Sequence, residues 1–148
     1  MAIAIQPYLT FNGYCEEAFN FYKSVFGTDF AYISRFGEMP PQEGISFPES
    51  FAKKIMHVAL PVSGQFMLFG SDAGGDCSPE AIVGNNISLS LKIDSKEEGD
   101  KIFDALSAGG TITMPMEVTF WNAYFGMFTD KFGINWMINV ELNPKESY

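Results

Sequence analysis

Apolar and polar positions alternate from Ala2 to Phe11, with Ile3, Ile5, Leu9 and Phe11 set against Gln6, Tyr8 and Thr10. Period-two alternation predicts a strand, and Asn12-Gly13 closes it. From Tyr14 to Phe26 the spacing becomes helical: Ala18, Phe21, Tyr22 and Val25 form an apolar stripe, joined by Cys15, Phe19 and Phe26. Glu16 and Glu17 occupy the first turn, where the helix dipole favours acids, and Gly27 supplies a stop. A strand is predicted over Asp29–Phe36. The stretch Gly37–Lys54 has three prolines and no period, and reads as a long loop or lid. A hairpin follows, Ile55–Val62 and Gln65–Phe69 around Ser63-Gly64.

The order then repeats. Ile87–Ile93 alternates as a strand, with Ile87, Leu89 and Leu91 opposite Asn86, Ser88 and Ser90. Asp94 is the expected cap of a second helix, with Glu97 completing a capping box, and Gly99, Ile102, Phe103 and Leu106 face inward until Gly109-Gly110. Thr111–Trp121 is a strand broken at Pro115, which marks an edge or a bulge. Two aromatic and β-branched runs, Ala123–Thr129 and Ile134–Glu141, flank the turn Asp130-Lys131-Phe132-Gly133. In the last strand Trp136, Ile138 and Val140 point one way, and Asn135, Met137, Asn139 and Glu141 the other. Both halves thus read strand, helix, strand, strand, strand. The expected organisation over 1–148 is one domain of two duplicated modules, about 1–72 and about 86–143, joined by a loop at about 73–85. Neither module is large enough to bury its own sheet well, so the two are expected to share a curved sheet with helices outside.

Composition narrows the function. A formal charge of −9 with a single arginine, Arg35, argues against nucleic acid and anionic membrane surfaces as partners, which need clustered cations. Hydrophobic residues make up 47% and aromatic residues 16%, as in a globular protein and unlike a disordered chain. Two cysteines make neither a disulfide framework nor a metal cluster. Cys15 reads as packing. Cys77 lies in a polar loop, but Asp72, Asp76 and Glu80 nearby work against a reactive thiolate. The N-terminus lacks a basic signal segment and no apolar run reaches the ~20 residues of a membrane span. A cytoplasmic protein is the expectation.

Three segments carry a family resemblance: YLTFNGYCEEAFNFYKSVFG, IMHVALPVSGQFMLFGSD and FGMFTDKFGINWMIN. With the duplicated module order, they resemble the PhnB-like branch of the vicinal oxygen chelate superfamily, which includes glyoxalase I, bleomycin-resistance proteins and extradiol dioxygenases. The resemblance implies an α+β fold of two βαβββ modules forming a paired, cup-shaped mixed sheet with helices on the outer face, and a homodimer. It also implies which strand faces pack and which line the cleft. Leu9, Phe11, Met67, Phe69, Ile87, Leu89, Trp136 and Ile138 are expected under the helices. Gln6, Tyr8, Phe66, Leu68, Asn86, Ser88, Asn135 and Met137 are expected in the cleft.

Metal-dependent members of the superfamily place ligands on positions that match Gln6, Leu68, Asn86 and Met137 here. Leucine cannot ligate, methionine is a poor partner for a hard divalent ion, and two amides cannot complete a site, so no metal and no cofactor are expected. A methyltransferase reading finds no support either, because Gly109-Gly110 ends a helix instead of opening one and no nucleotide fingerprint is present. A phosphonate ligand would call for more cations than the chain supplies. His57, the sole histidine, is the general-base candidate, with Asp72 its possible orienting partner. A packed strand histidine is the plainer reading. Trp121, Asn122 and Phe125 join Tyr8 as aromatic and amide groups suited to a planar small molecule. Two functions follow: a metal-free small-molecule binding protein, or a metal-independent or altered-metal lyase or isomerase.

Overall fold

The computed structural model describes residues 1–40, 47–75 and 78–142. Its contacts divide the chain into two units, Met1–Ile82 and Val83–Tyr148. Both are α+β and share one plan. The first contains β1 (Tyr8–Phe11), α1 (Cys15–Phe26), β2 (Tyr32–Arg35), a 3-10 turn (Phe36–Glu38), the short α2 (Glu49–Ala52), β3 (Ile55–Ser63) and β4 (Phe66–Asp72). The second contains β5 (Leu89–Ile93), α3 (Lys96–Ser107), β6 (Thr111–Val118), β7 (Ala123–Thr129) and β8 (Asn135–Glu141). Each builds a four-stranded mixed sheet, in the orders β1-β4-β3-β2 and β5-β8-β7-β6. In both, the first strand pairs in parallel with the last and the other pairings are antiparallel. The repeat seen along the sequence is therefore a repeat of topology.

In the first unit, α1 covers one face of the sheet. Phe19 of α1 packs where a Cβ at Gly70 would lie 2.5 Å from its ring, so glycine there permits close approach of helix and strand. Phe11, Phe19, Tyr22, Val58, Leu60 and Leu68 form the core beneath the helix. Full burial of side chains this size contributes roughly 1.5–3 kcal/mol each. Asp72 ends β4 on the same face, 4% exposed. Its Oδ1 accepts from the N–H groups of Gly13 (3.0 Å) and Cys15 (2.9 Å), and its Oδ2 from Ile55 N–H (2.9 Å). One carboxylate thus joins the entry of α1 to the start of β3. Gly27 ends α1 at φ 70°, its N–H bonding to Lys23 carbonyl.

In the second unit, α3 packs on β8 and β7 through two glycines: a Cβ at Gly99 would lie 2.8 Å from Val140 Cγ2, and one at Gly126 would lie 2.8 Å from the Phe103 ring. Trp136, Ile138 and Val140 are buried on this face, and Leu89, Leu91 and Ile93 are their register partners on β5. Asp130 opens the β7–β8 turn, accepting from Phe132 and Ile134 N–H and from the indole N–H of Trp136 at 2.9 Å. Pro115 lies on β6, the edge strand, within the register irregularity between Met114 and Glu117.

Several expectations are corrected. Pairing of the first strand starts at Tyr8, because Pro7 has no N–H to donate and gives only its carbonyl, to Phe69 N–H. Ser95, not Asp94, caps α3, its hydroxyl accepting from Glu98 N–H at 3.2 Å. Ile87 precedes β5 and is 73% exposed instead of packed. The region expected to be one loop contains α2, where Phe51 packs against Phe36 and Phe47. The middle of that region (41–46), Asp76, Cys77 and the tail from 143 lie outside the described residues.

Candidate functional site

The face of the first sheet turned away from α1 gathers aromatic rings around His57. Strand alternation decides the membership. On β3, Val58 and Leu60 face the helix, so His57 and Ala59 face away. Register then aligns Tyr32 and Phe69 with Ala59, Tyr8 with Phe69, and Ser34 with His57. Ring centroids of Tyr8, Tyr32 and Phe69 lie 5.8, 5.7 and 5.7 Å from the imidazole centroid. Tyr8 and Phe69 are close to parallel with it, at 26° and 19°. The Tyr8 hydroxyl hydrogen-bonds His57 Nδ1 at 3.3 Å. Tyr8 and Tyr32 are about half exposed, at 51% and 52%.

Asp72 does not orient His57. It faces α1 on the opposite side of the sheet, where three backbone donors occupy it. Leu68 and Phe69 exchange the roles expected of them: Leu68 is 3% exposed on the helix side, and Phe69, with Met67, is on the His57 side. The run Phe66-Met67-Leu68-Phe69 has no polar residue to reveal its parity. Phe66 begins β4 and is 68% exposed. Gln6 lies outside the strand and is exposed. Tyr32 and Ser34 escaped the sequence reading, although the alternation of Tyr32-Ile33-Ser34 beside His57's strand held the signal.

The second unit has its own smaller cluster. Trp121 meets Phe120 and Phe125 edge-on, at centroid separations of 4.9 and 5.9 Å. Phe125 pairs with Asn139, and Met127 with Met137. These residues lie on the face away from α3, since their sequence neighbours Gly126 and Ile138 pack toward the helix. Asn122 adopts φ 66°, a left-handed turn conformation that asparagine tolerates, and its carbonyl accepts from Leu142 N–H. Asn135 is engaged in holding the sheet: its amide donates to the Gly84 and Ile87 carbonyls and its oxygen accepts from Thr129. Asn86 and Ser88 precede β5, the first exposed and the second partly so.

Elsewhere, charge is committed to structure. Arg35 grips Glu16 with both guanidinium arms and donates to the Lys53 carbonyl. The bond holds the Glu16 carboxyl below its ordinary range and pushes Arg35 upward. The Cys15 thiol, 0% exposed, is pushed up strongly by burial and by Asp72 and Glu16 beside it. Tyr124 donates to Asp100 at 2.6 Å, a bond that raises its pKa.

The superfamily's metal does not fit these residues. Of the four positions that the resemblance matches to its ligands, Leu68 is a hydrocarbon buried on the α1 side and Met137 a thioether, leaving two amides. Among the described residues no group of three His, Cys, Asp or Glu side chains is placed to hold an ion.

Comparison with known proteins gives a consistent picture. The family described as 3-demethylubiquinone-9 3-methyltransferase matches residues 3–139. Protein YjdN of Escherichia coli (strain K12) is 34% identical over 146 residues, covering 92% of this chain and 94% of its own. The crystal structure of PA1353 from Pseudomonas aeruginosa is 43% identical with a TM-score of 0.80, covering 96% of this chain and 100% of its own. The PhnB protein from Bacillus cereus is 27% identical with a TM-score of 0.71, covering 93% and 99%. The chain therefore belongs to the PhnB-like, 3-demethylubiquinone-9 3-methyltransferase family of the vicinal oxygen chelate superfamily.

Proposed function

We propose that this protein is a metal-free small-molecule binding protein, and that it takes a planar aromatic ligand on the face of the first sheet that carries His57. The observation that supports this most is the arrangement of Tyr8, Tyr32 and Phe69 around one imidazole on the sheet face opposite α1. Half-exposed rings of this kind offer stacking surface together with polar tips. Trp121 and Phe125, with Met137 on the same sheet face as Phe125, form a second aromatic surface of the same character.

His57 is the only histidine, so its ring gives one set of imidazole signals. Protein labelled with nitrogen-15 histidine is titrated with a panel of neutral and cationic aromatic compounds. Saturable movement of the His57 signals is expected with a subset of them. Signals that stay fixed across the panel to millimolar concentrations would overturn the reading.

A second reading draws on the 3.3 Å contact between Tyr8 and His57. It pairs them as acid and base in a metal-independent lyase or isomerase. Full turnover by His57→Gln on any substrate found would remove that role. The protein acts in the cytoplasm as a homodimer in this proposal. Dimerisation is supported by the exposed apolar side chains Ile112, Met114, Val118 and Phe120 along and beyond the β6 edge. Sedimentation at micromolar concentration tests it, and a monomer would count against it. Among the described residues no helix is long and apolar enough to cross a membrane.

A further inference from the structure

The His57 face carries one buried polar atom without a partner among the described residues. Ser34 is 6% exposed, and its Oγ is buried without a hydrogen bond. Among the described residues the His57 ring is bonded at Nδ1, to Tyr8. Ser34 and His57 are directly opposite one another on adjacent antiparallel strands. Opposed side chains share a face, with Cβ atoms roughly 4.5–5.5 Å apart. The register irregularity falls after Ser34, so this pair keeps regular geometry. A buried hydroxyl left unbonded is costly, which makes it an unusual choice for a position that an alanine would fill.

We infer that Ser34 Oγ and His57 Nε2 together form a polar floor that selects a neutral aromatic ligand bearing an acceptor oxygen, a carbonyl or a phenolic group. This rests on the proposal that the His57 face binds a ligand, and adds its chemical class. When the Tyr8 hydroxyl donates to Nδ1, the neutral imidazole carries its proton on Nε2. Nε2–H and the serine hydroxyl then present two donors to one oxygen, while Tyr8, Tyr32 and Phe69 contact the ring. Charge argues for a neutral oxygen over a carboxylate: the chain carries −9, and its one arginine is bound to Glu16. Serine's flexible hydroxyl also accepts, so a phenol is held as well as a ketone.

The test compares acetophenone with α-methylstyrene, which replaces the carbonyl oxygen by a methylene of similar shape. Binding is read from the His57 imidazole signals in the wild type and in Ser34→Ala. Thermal unfolding of unliganded Ser34→Ala serves as a check on the fold, and a Tm equal to or above wild type is expected, since the orphan hydroxyl is gone. Acetophenone should bind the wild type more tightly than α-methylstyrene. Ser34→Ala should weaken acetophenone about threefold to tenfold, the worth of one neutral hydrogen bond, and leave α-methylstyrene unchanged. If both compounds bind and Ser34→Ala changes neither, the hydroxyl serves a bound water and the inference falls while the aromatic site stands. If neither moves the His57 signals this inference falls, and the aromatic site falls with it only when the whole aromatic panel also leaves those signals fixed.

Discussion

Replacing Asp72 tests how the first unit is held together. The carboxylate accepts three backbone N–H groups from two elements distant in sequence, and it is 4% exposed, so water has little access to replace it. Asp72→Ala leaves those donors without partners. At about 1–3 kcal/mol for each unsatisfied buried group, with some relaxation, the loss is roughly 3–6 kcal/mol. Native domains have about 5–15 kcal/mol in total, so the first unit would be marginal. Asp72→Asn is the graded probe. One amide oxygen can still serve Gly13 and Cys15, while its NH2 opposes the Ile55 donor, for a loss of about 1.5–3 kcal/mol. Urea unfolding followed by circular dichroism measures both. With a slope of about 1–3 kcal/mol per molar urea, the alanine midpoint should fall by more than about 1 M and the asparagine midpoint by less. An alanine variant with its midpoint within about 0.3 M of wild type would refute the claim that this carboxylate joins the helix entry to β3.

Other expectations are sharp enough to check. Gly99→Ala gains about 1 kcal/mol of helix propensity, yet its new methyl lies 2.8 Å from Val140 Cγ2 in a packed interface, so net destabilisation is expected; a higher Tm would contradict this packing. Because the folded Glu16 carboxyl is depressed by Arg35, the pair stabilises above the ordinary glutamate range and is lost as pH falls below it. Arg35→Met should therefore remove part of the acid loss of stability, by less than about 1 kcal/mol for so exposed a pair, and an unchanged acid limb would refute it. The buried Cys15, its thiol raised, should resist iodoacetamide at pH 8 until the protein unfolds, as read by peptide mass mapping; labelling in the native state would contradict its burial.

The module order was legible because the ends of several elements carry a local signal: Asn12-Gly13, Gly27, Ser63-Gly64 and Gly109-Gly110. The faces were legible only where polar and apolar residues alternate. Trp136, Ile138 and Val140 separate cleanly from Asn135, Met137 and Asn139, and their burial follows. In β4 the alternation is hidden because both faces are apolar, so the pattern does not reveal that Leu68 faces α1. Gly70 is the missing clue, since a glycine inside a strand marks a close neighbour, here Phe19. Tyr8 and His57 were identifiable as chemistry-bearing groups one by one. Their meeting with Tyr32, Ser34 and Phe69 depends on strand register across sequence separations that no local pattern encodes. The placement of Asp72 fails for the same reason: proximity in sequence to β4 says nothing of which side of the sheet it serves.

The aromatic residues also divide the molecule spectroscopically. Both tryptophans belong to the second unit, Trp136 almost fully buried with its indole bonded to Asp130, and Trp121 52% exposed at the strand end. The sole imidazole belongs to the first. Indole emission therefore follows one half of the duplication and the histidine resonance the other, with acrylamide separating the two indoles by access. Without any introduced label, the natural chain can reveal whether its two repeats melt together or in sequence.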